Sequence, residues 1–249
     1  MLIDVDTGYE GKFDFPRRAA PPELVYMLAS MPRTGSTYLS HLLWQTGCLG
    51  APLEYLNFEP RGPYFFAAHS AENQTRLWRS LRHRRTSPNG VFGIKIFPAH
   101  LEALRENNPA LLAEVRPRRI VYLNRRDRTA HIVSCARAIM TGIWRQDQEK
   151  DLTAPPTYSQ ETLEMAEEGI EYQAAGWEQM FREQGVEPLR LWYEDVVADP
   201  EQATRQVADH LGVTLVPGAE VAVPPIRKQS AAGSEDWAAR YERSKAAAR

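Results

Sequence analysis

The chain has 249 residues, 43% hydrophobic and 25% charged, with 30 Lys and Arg against 32 Asp and Glu. That is the balance of one globular α/β unit with a large core, and a net charge of -2 gives no field for gripping bulk nucleic acid or a membrane surface. Two cysteines without a C-x-x-C pattern and six scattered histidines argue for free thiols in a reducing compartment and against a metal site. Residues 1–22 carry Gly8, Gly11, Pro16, Pro21 and Pro22 and no hydrophobic period, so they read as an irregular lead-in. The opening MLIDVDTGYEGKFDF is acidic and mixed, unlike a signal peptide, and no apolar run has membrane-spanning length, so the expected place is the cytoplasm.

Leu24–Leu28 is a short apolar run containing Val and Tyr, which predicts a buried strand. Ser30 to Gly35 is turn material, and from Ser36 the residues Leu39, Leu42 and Leu43 recur at helical spacing. Strand, tight loop and helix in that order make an anion cradle, with free N–H groups and the positive end of the helix dipole facing the loop. Arg33, Ser36 and Thr37 add one fixed charge and two hydroxyls. A nucleoside triphosphate loop reads G-x-x-x-x-G-K-[ST]; here there is one Gly, an Arg and too short a loop to wrap two phosphates.

Further along, Asn73–Arg85 predicts a helix whose Arg76, Arg79, Arg82, Arg84 and Arg85 form either a solvated basic face or a patch for an anionic substrate or lipid headgroup. Val91–Phe97 is a second strand, and Lys95 within it must be paired, or stand at a strand end, or face a site. Pro98–Asn108 predicts a helix, and Arg118–Leu123 a third strand running into Asn124, Arg125, Arg126 and Asp127. A helix with Ile132, Val133, Ala136, Ile139 and Met140 on one face follows, ended or kinked by Gly142. The polar stretch 144–159, with Pro155 and Pro156, reads as a mobile loop. Gln160–Gln184 is the longest helix, Leu189–Tyr193 a fourth strand, and Asp199 with Pro200 starts a helix to about Leu211. Residues 212–249 read as a loop and a short polar tail. Strands alternating with helices imply a doubly wound, mainly parallel sheet with helices on both faces, a single P-loop-like α/β domain over 1–249. In such a sheet ligands sit at the carboxyl ends of the strands, where both the first loop and the Asn124–Asp127 loop fall.

The run RTGSTYLSHLL, followed by Thr46-Gly47 and Gly50-Ala51-Pro52-Leu53-Glu54-Tyr55, resembles the 5′-phosphosulfate loop region of Stf0-type sulfotransferases. These enzymes use 3′-phosphoadenosine-5′-phosphosulfate (PAPS). The likeness continues through Val91–Lys95, the Arg125–Ser134 tract, Thr141-Gly142 before Trp144, and Arg227-Lys228-Gln229 with Trp237 and Arg240-Tyr241. It implies that Arg33, Thr34, Gly35, Ser36 and Thr37 hold the 5′ end of PAPS. The 3′-phosphate would fall to Ser134 with Arg125, or alternatively Arg126, because a guanidinium fork and a hydroxyl can share one phosphate. Arg227 and Gln229, in a segment over 224–249 that closes on the cofactor, would complete that end.

Glu54 corresponds to the general base of the family's Pro-x-Glu-aromatic stretch, and a carboxylate near an attacking hydroxyl suits sulfuryl transfer. Arg33 would face the charge growing on the leaving oxygen. The implied enzyme is a homodimeric, metal-independent, PAPS-dependent sulfotransferase acting on a hydroxyl of a carbohydrate, glycolipid or other small or lipid acceptor. A P-loop-type small-molecule kinase and a non-catalytic nucleotide-binding protein remain as alternatives.

Overall fold

In a computed structural model of the chain, the residues described are 11–59, 62, 64–68, 70–115, 117, 119–144, 155–216 and 234–247. The expected strands form as β1 (Leu24–Ala29), β2 (Val91–Ile96), β3 (Arg119–Asn124) and β4 (Leu189–Trp192). They make one sheet in the order β2-β1-β3-β4, every pairing parallel. Parallel strands are covered on both faces, which is why they read as nearly continuous apolar runs rather than as an alternation.

Within that run the period of two still sorts the side chains. Tyr26, Leu28, Val121 and Leu123 face α1 (Ser36–Gln45) and α8 (Pro200–Leu211), packing with Leu39, Leu42, Val207 and Leu211. Met27, Phe92, Ile94, Ile120 and Tyr122 share the opposite core. There they meet α2 (Ala71–Arg84), α5 (Arg128–Thr141) and α6 (Gln160–Gln184), through residues such as Trp78, Ile132 and Trp177. Gly93 lets this happen: a Cβ there would stand 2.6 Å from Cζ of Tyr26, whose hydroxyl lies over the strand and donates to the Leu49 carbonyl at 2.8 Å. The order of strands places the change of winding direction between β1 and β3, where α/β sheets open a crevice for ligands.

Several expectations need correction. The helix expected over Pro98–Asn108 forms as α3 (Pro98–Asn107), but a second, α4 (Pro109–Glu114), follows it where none was expected, because Asn108 ends the first and caps the second through Leu111 N. A further helix, α7 (Tyr193–Ala198), follows β4 directly. The C-terminal segment is no plain loop and polar tail, since α9 (Ser234–Ala247) is a helix that buries Trp237 and Tyr241. The basic stripe of α2 is mostly absorbed by neighbours: Arg84 and Arg85 reach Asp14, Arg82 reaches Glu114 and Arg76 reaches Glu72. Among the described residues Arg79 alone of the five is left facing water without a carboxylate. Of the 144–159 stretch, residues 145–154 lie outside the described residues.

Candidate active site

The loop between β1 and α1 is fixed from both sides of its turn. Trp177 Nε1 donates to the Ser30 carbonyl at 2.9 Å and Thr34 Oγ1 to the Met31 carbonyl at 2.8 Å. The Pro32 carbonyl lies 2.8 Å from His131 Nε2 and also accepts from Cys135 Sγ at 3.6 Å. Burial holds His131 at a pKa of about 4, so near neutral pH its Nε2 carries the proton and donates. So anchored, the loop holds Arg33 at φ 67, a left-handed conformation that costs an L side chain about 1 kcal/mol or more. Arg33 is then turned along α5: Nε donates to Ser134 Oγ at 3.0 Å and Nη1 to the Trp144 carbonyl at 2.8 Å. Gly35, at φ 79, forms the N-cap of α1. A Cβ on it would sit 2.3 Å from the Tyr193 ring, so only glycine lets that ring lie on the loop.

Glu54 reaches the same site along the outer edge of β2. Leu53 makes an isolated parallel bridge with Ile94, Lys95 N donates to the Leu53 carbonyl at 3.0 Å, and Ser40 Oγ of α1 donates to the Pro52 carbonyl at 2.6 Å. Lys95, second from the end of β2 and 1% exposed, turns toward α1. Its Nζ lies 2.8 Å from Glu54 Oε1 and 3.1 Å from Thr37 Oγ1. The buried cation that looked out of place in a strand is therefore paired, and it ties the candidate base to the first turn of α1. Asn57 Nδ2 donates to Glu54 Oε2 at 3.1 Å. Burial raises the Glu54 carboxyl, but Lys95 and the hydrogen bonds from Lys95 and Asn57 outweigh it, leaving the pKa below its ordinary value. His100 of α3, also near this pair, is held neutral by burial at a pKa of about 4.

The loop after β3 is organised by the start of α7. Glu194 accepts the backbone N–H groups of Arg126 and Asp127, both at 3.0 Å, and stands 4.0 Å from Arg125 Nε. The two arginines part company there. Arg125, 10% exposed, lies with its guanidinium carbon 5.2 Å from the Tyr193 ring centre, and among the described residues its buried Nε has no hydrogen-bond partner. Arg126 points outward into a two-pronged pair with Asp195, at 3.0 and 2.8 Å. Arg33, Thr34, Gly35, Ser36, Thr37, Glu54 and Ser134 are thus brought together, Arg125 joins them across Tyr193, and Arg126 stands apart. Arg227 and Gln229 lie outside the described residues.

Sequence reasoning passed over Tyr193 and Glu194. Their only signal was a Tyr-Glu-Asp run at the end of the last strand, which reads equally well as a surface turn. Among the described residues no group of His, Cys, Asp or Glu is arranged to hold a metal, and no helix is long and apolar enough to cross a membrane.

A tight loop running into a helix N-terminus after the first strand of a parallel α/β sheet, with a carboxylate and a lysine at its rim, is an arrangement suited to group transfer. Comparison with known proteins gives the arrangement its chemistry. The sequence matches the family described as Stf0 sulphotransferase over residues 25–244, and the chain belongs to that family of sulfotransferases. It is 25% identical over 256 residues to trehalose 2-sulfotransferase of Mycobacterium tuberculosis (strain ATCC 35801 / TMC 107 / Erdman), covering 87% of this chain and 93% of that one. The trehalose 2-sulfotransferase of Mycolicibacterium smegmatis (strain ATCC 700084 / mc(2)155) is 24% identical, over 88% and 94%. Among solved structures, the sulfotransferase domain from the curacin biosynthetic pathway shares the fold, with a TM-score of 0.50 at 18% identity, over 86% of this chain and 82% of that domain.

Proposed function

We propose that this sulfotransferase transfers a sulfuryl group from PAPS to a hydroxyl of a carbohydrate, glycolipid or other small or lipid acceptor, with Glu54 as general base. The observation that carries the reading is the chain Thr37–Lys95–Glu54: one buried ammonium joins the anion-facing turn of α1 to a carboxylate, at 3.1 and 2.8 Å. When bound, PAPS supplies the sulfuryl group. Arg33 and the N-terminal turn of α1, with Thr34, Gly35, Ser36 and Thr37, would hold its 5′ end; Ser134 and Arg125 would hold its 3′-phosphate. The fit is supported by the orphaned Nε of Arg125 and by Gly35, whose missing Cβ leaves the Tyr193 ring lying on the loop.

Each of these groups has a physical task. Lys95 keeps Glu54 ionised and aimed, so the carboxylate takes the acceptor's hydroxyl proton as the new S–O bond forms. Arg33 and the helix N-terminus face the negative charge that gathers on the departing oxygen. Asn57 fixes the second carboxylate oxygen. The relatives support a carbohydrate acceptor, and likeness to Stf0-type enzymes supports a homodimer. Two buried free thiols, Cys48 and Cys135, suit a reducing cytoplasm.

Thermal unfolding with adenosine 3′,5′-bisphosphate (PAP) and with ATP·Mg²⁺ tests the assignment. PAP should raise the midpoint in the presence of EDTA, as any ligand specific to the folded state does. Stabilisation by ATP·Mg²⁺ and not by PAP would overturn the reading in favour of a kinase. Incubating the enzyme with labelled PAPS and fractionated cell extract then identifies the acceptor.

A further inference from the structure

Arg137 lies on α5 one helical turn beyond Ser134, and side chains three apart on a helix are neighbours, with Cβ atoms about 5–6 Å apart. Its guanidinium carbon stands 5.0 Å from the ring centre of Trp237 on α9, and Tyr158 meets that buried indole edge-on at 5.7 Å. The partner of this half-buried cation is therefore aromatic. Several other sheltered arginines have a carboxylate: Arg18 has Glu23 at 2.8 Å, Arg82 has Glu114 at 4.0 Å and Arg85 has Asp14 at 2.6 Å. Arg125 has Glu194 at 4.0 Å. Among the described residues Arg137 has none, and the only influence on its pKa is burial, which lowers it. A cation drawn partly out of water with no counter-ion is unfavourable unless an anion arrives to meet it.

Charge counting says where that anion sits. The positive charge of Arg125 is already shared with Glu194, Ser134 contributes only a hydroxyl, and Arg33, whose Nε reaches that hydroxyl at 3.0 Å, is assigned to the 5′ end of the cofactor. A phosphate monoester carries about -1.5 to -2 charges near neutral pH, more than Arg125 and Ser134 offset. We propose that Arg137 is a cofactor-binding residue that supplies the missing charge, so that Ser134, Arg125 and Arg137 together receive the 3′-phosphate of the nucleotide while Trp237 holds the guanidinium in place. This rests on the assignment of Ser134 and Arg125 made above. A phosphate hydrogen-bonded to Ser134 Oγ lies within the reach of an arginine one turn further along the same helix face.

Isothermal titration with PAP and with 5′-AMP, which lacks only the 3′-phosphate, isolates the contact. In the wild-type protein PAP should bind more tightly than 5′-AMP. Arg137→Ala should weaken PAP by about tenfold to a hundredfold, the loss of a charge-assisted hydrogen bond, and leave 5′-AMP within about twofold. Arg137→Lys should recover part of the difference, and Arg79→Ala, which removes an exposed charge on α2, should change neither ligand. Unchanged PAP affinity in Arg137→Ala overturns the proposal, and so does an equal loss for both nucleotides. Should the alanine variant unfold, Arg137→Gln keeps much of the stem over Trp237 and is judged by the same two ratios. A wild-type protein that fails to prefer PAP would sink the cofactor assignment itself and this inference with it, whereas a wild type that prefers PAP beside an unaffected Arg137→Ala sinks the inference alone.

Discussion

The loop after β1 hangs from neutral donors sheltered from water, namely the Trp177 indole, the His131 imidazole and the Thr34 hydroxyl. The loop after β3 hangs from carboxylates, with Glu194 holding two of its N–H groups and Asp195 gripping Arg126 at the surface. Both loops sit at the carboxyl ends of neighbouring strands. The difference fits two tasks. Neutral buried hydrogen bonds neither titrate near pH 7 nor weaken with salt, so they suit the task proposed for that loop, presenting Arg33 and α1 to a reacting centre in one geometry. Carboxylates near arginines are screened by salt and can share their partners, which suits the task proposed for that loop, accepting a dianion.

The sharpest contrast should be functional. Glu54→Gln should lower kcat by about 10²–10⁴-fold, the scale of lost general-base catalysis, with PAP affinity held within about twofold by titration. Arg125→Ala should do the reverse, weakening PAP about tenfold to a hundredfold with a smaller effect on kcat at saturation. An interchange of these two outcomes would break the division of labour between the loops.

Next in size is the cost of a missing donor. Trp177→Phe keeps the packing but orphans the Ser30 carbonyl, and urea unfolding should show a loss of about 1–3 kcal/mol. His131 sharpens the same point through pH. Its folded pKa is depressed to about 4 from 6.5, so below pH 6.5 the unfolded chain binds a proton that the folded chain refuses. The stability it provides is complete above pH 6.5 and drains away as pH falls toward 4, roughly 2 kcal/mol of it by pH 5. Unfolding curves of His131→Gln between pH 7 and 5 should be flatter by that amount.

Smaller effects separate the remaining charges. Lys95→Met removes the group that holds Glu54 below its ordinary value and leaves burial to act, so the acid limb of the kcat/KM profile should move to higher pH. Asp195→Asn should change neither the melting temperature nor PAP affinity measurably, because its pair with Arg126 is exposed.

Much of the frame was legible because local rules and the global fold agree. All four strands carry apolar runs of the length a parallel sheet demands, and Gly35, Gly142 and Gly185 stand where helices start or stop. Lys95 announced itself as a charge in an apolar run, but its partner lies far away in sequence and no periodicity connects them. α9 escaped notice because only Trp237 and Tyr241 are buried in it, one turn apart in a mostly polar stretch. α7 is six residues long, too short to show a period. Glu194 and Tyr193 act through the backbone of another loop and through the absence of a Cβ at Gly35, relations that exist only once the chain has folded.

The contact of Leu53 with Ile94 has a consequence for how the enzyme can move. By lying against β2, the edge strand among the described residues, the 51–55 stretch covers a border that would otherwise be open to pairing with another chain. Glu54, the proposed proton acceptor, is mounted on this seal, and swinging it away would bare the sheet edge. On the proposed role of Glu54, the acceptor hydroxyl comes to a carboxylate held in one place.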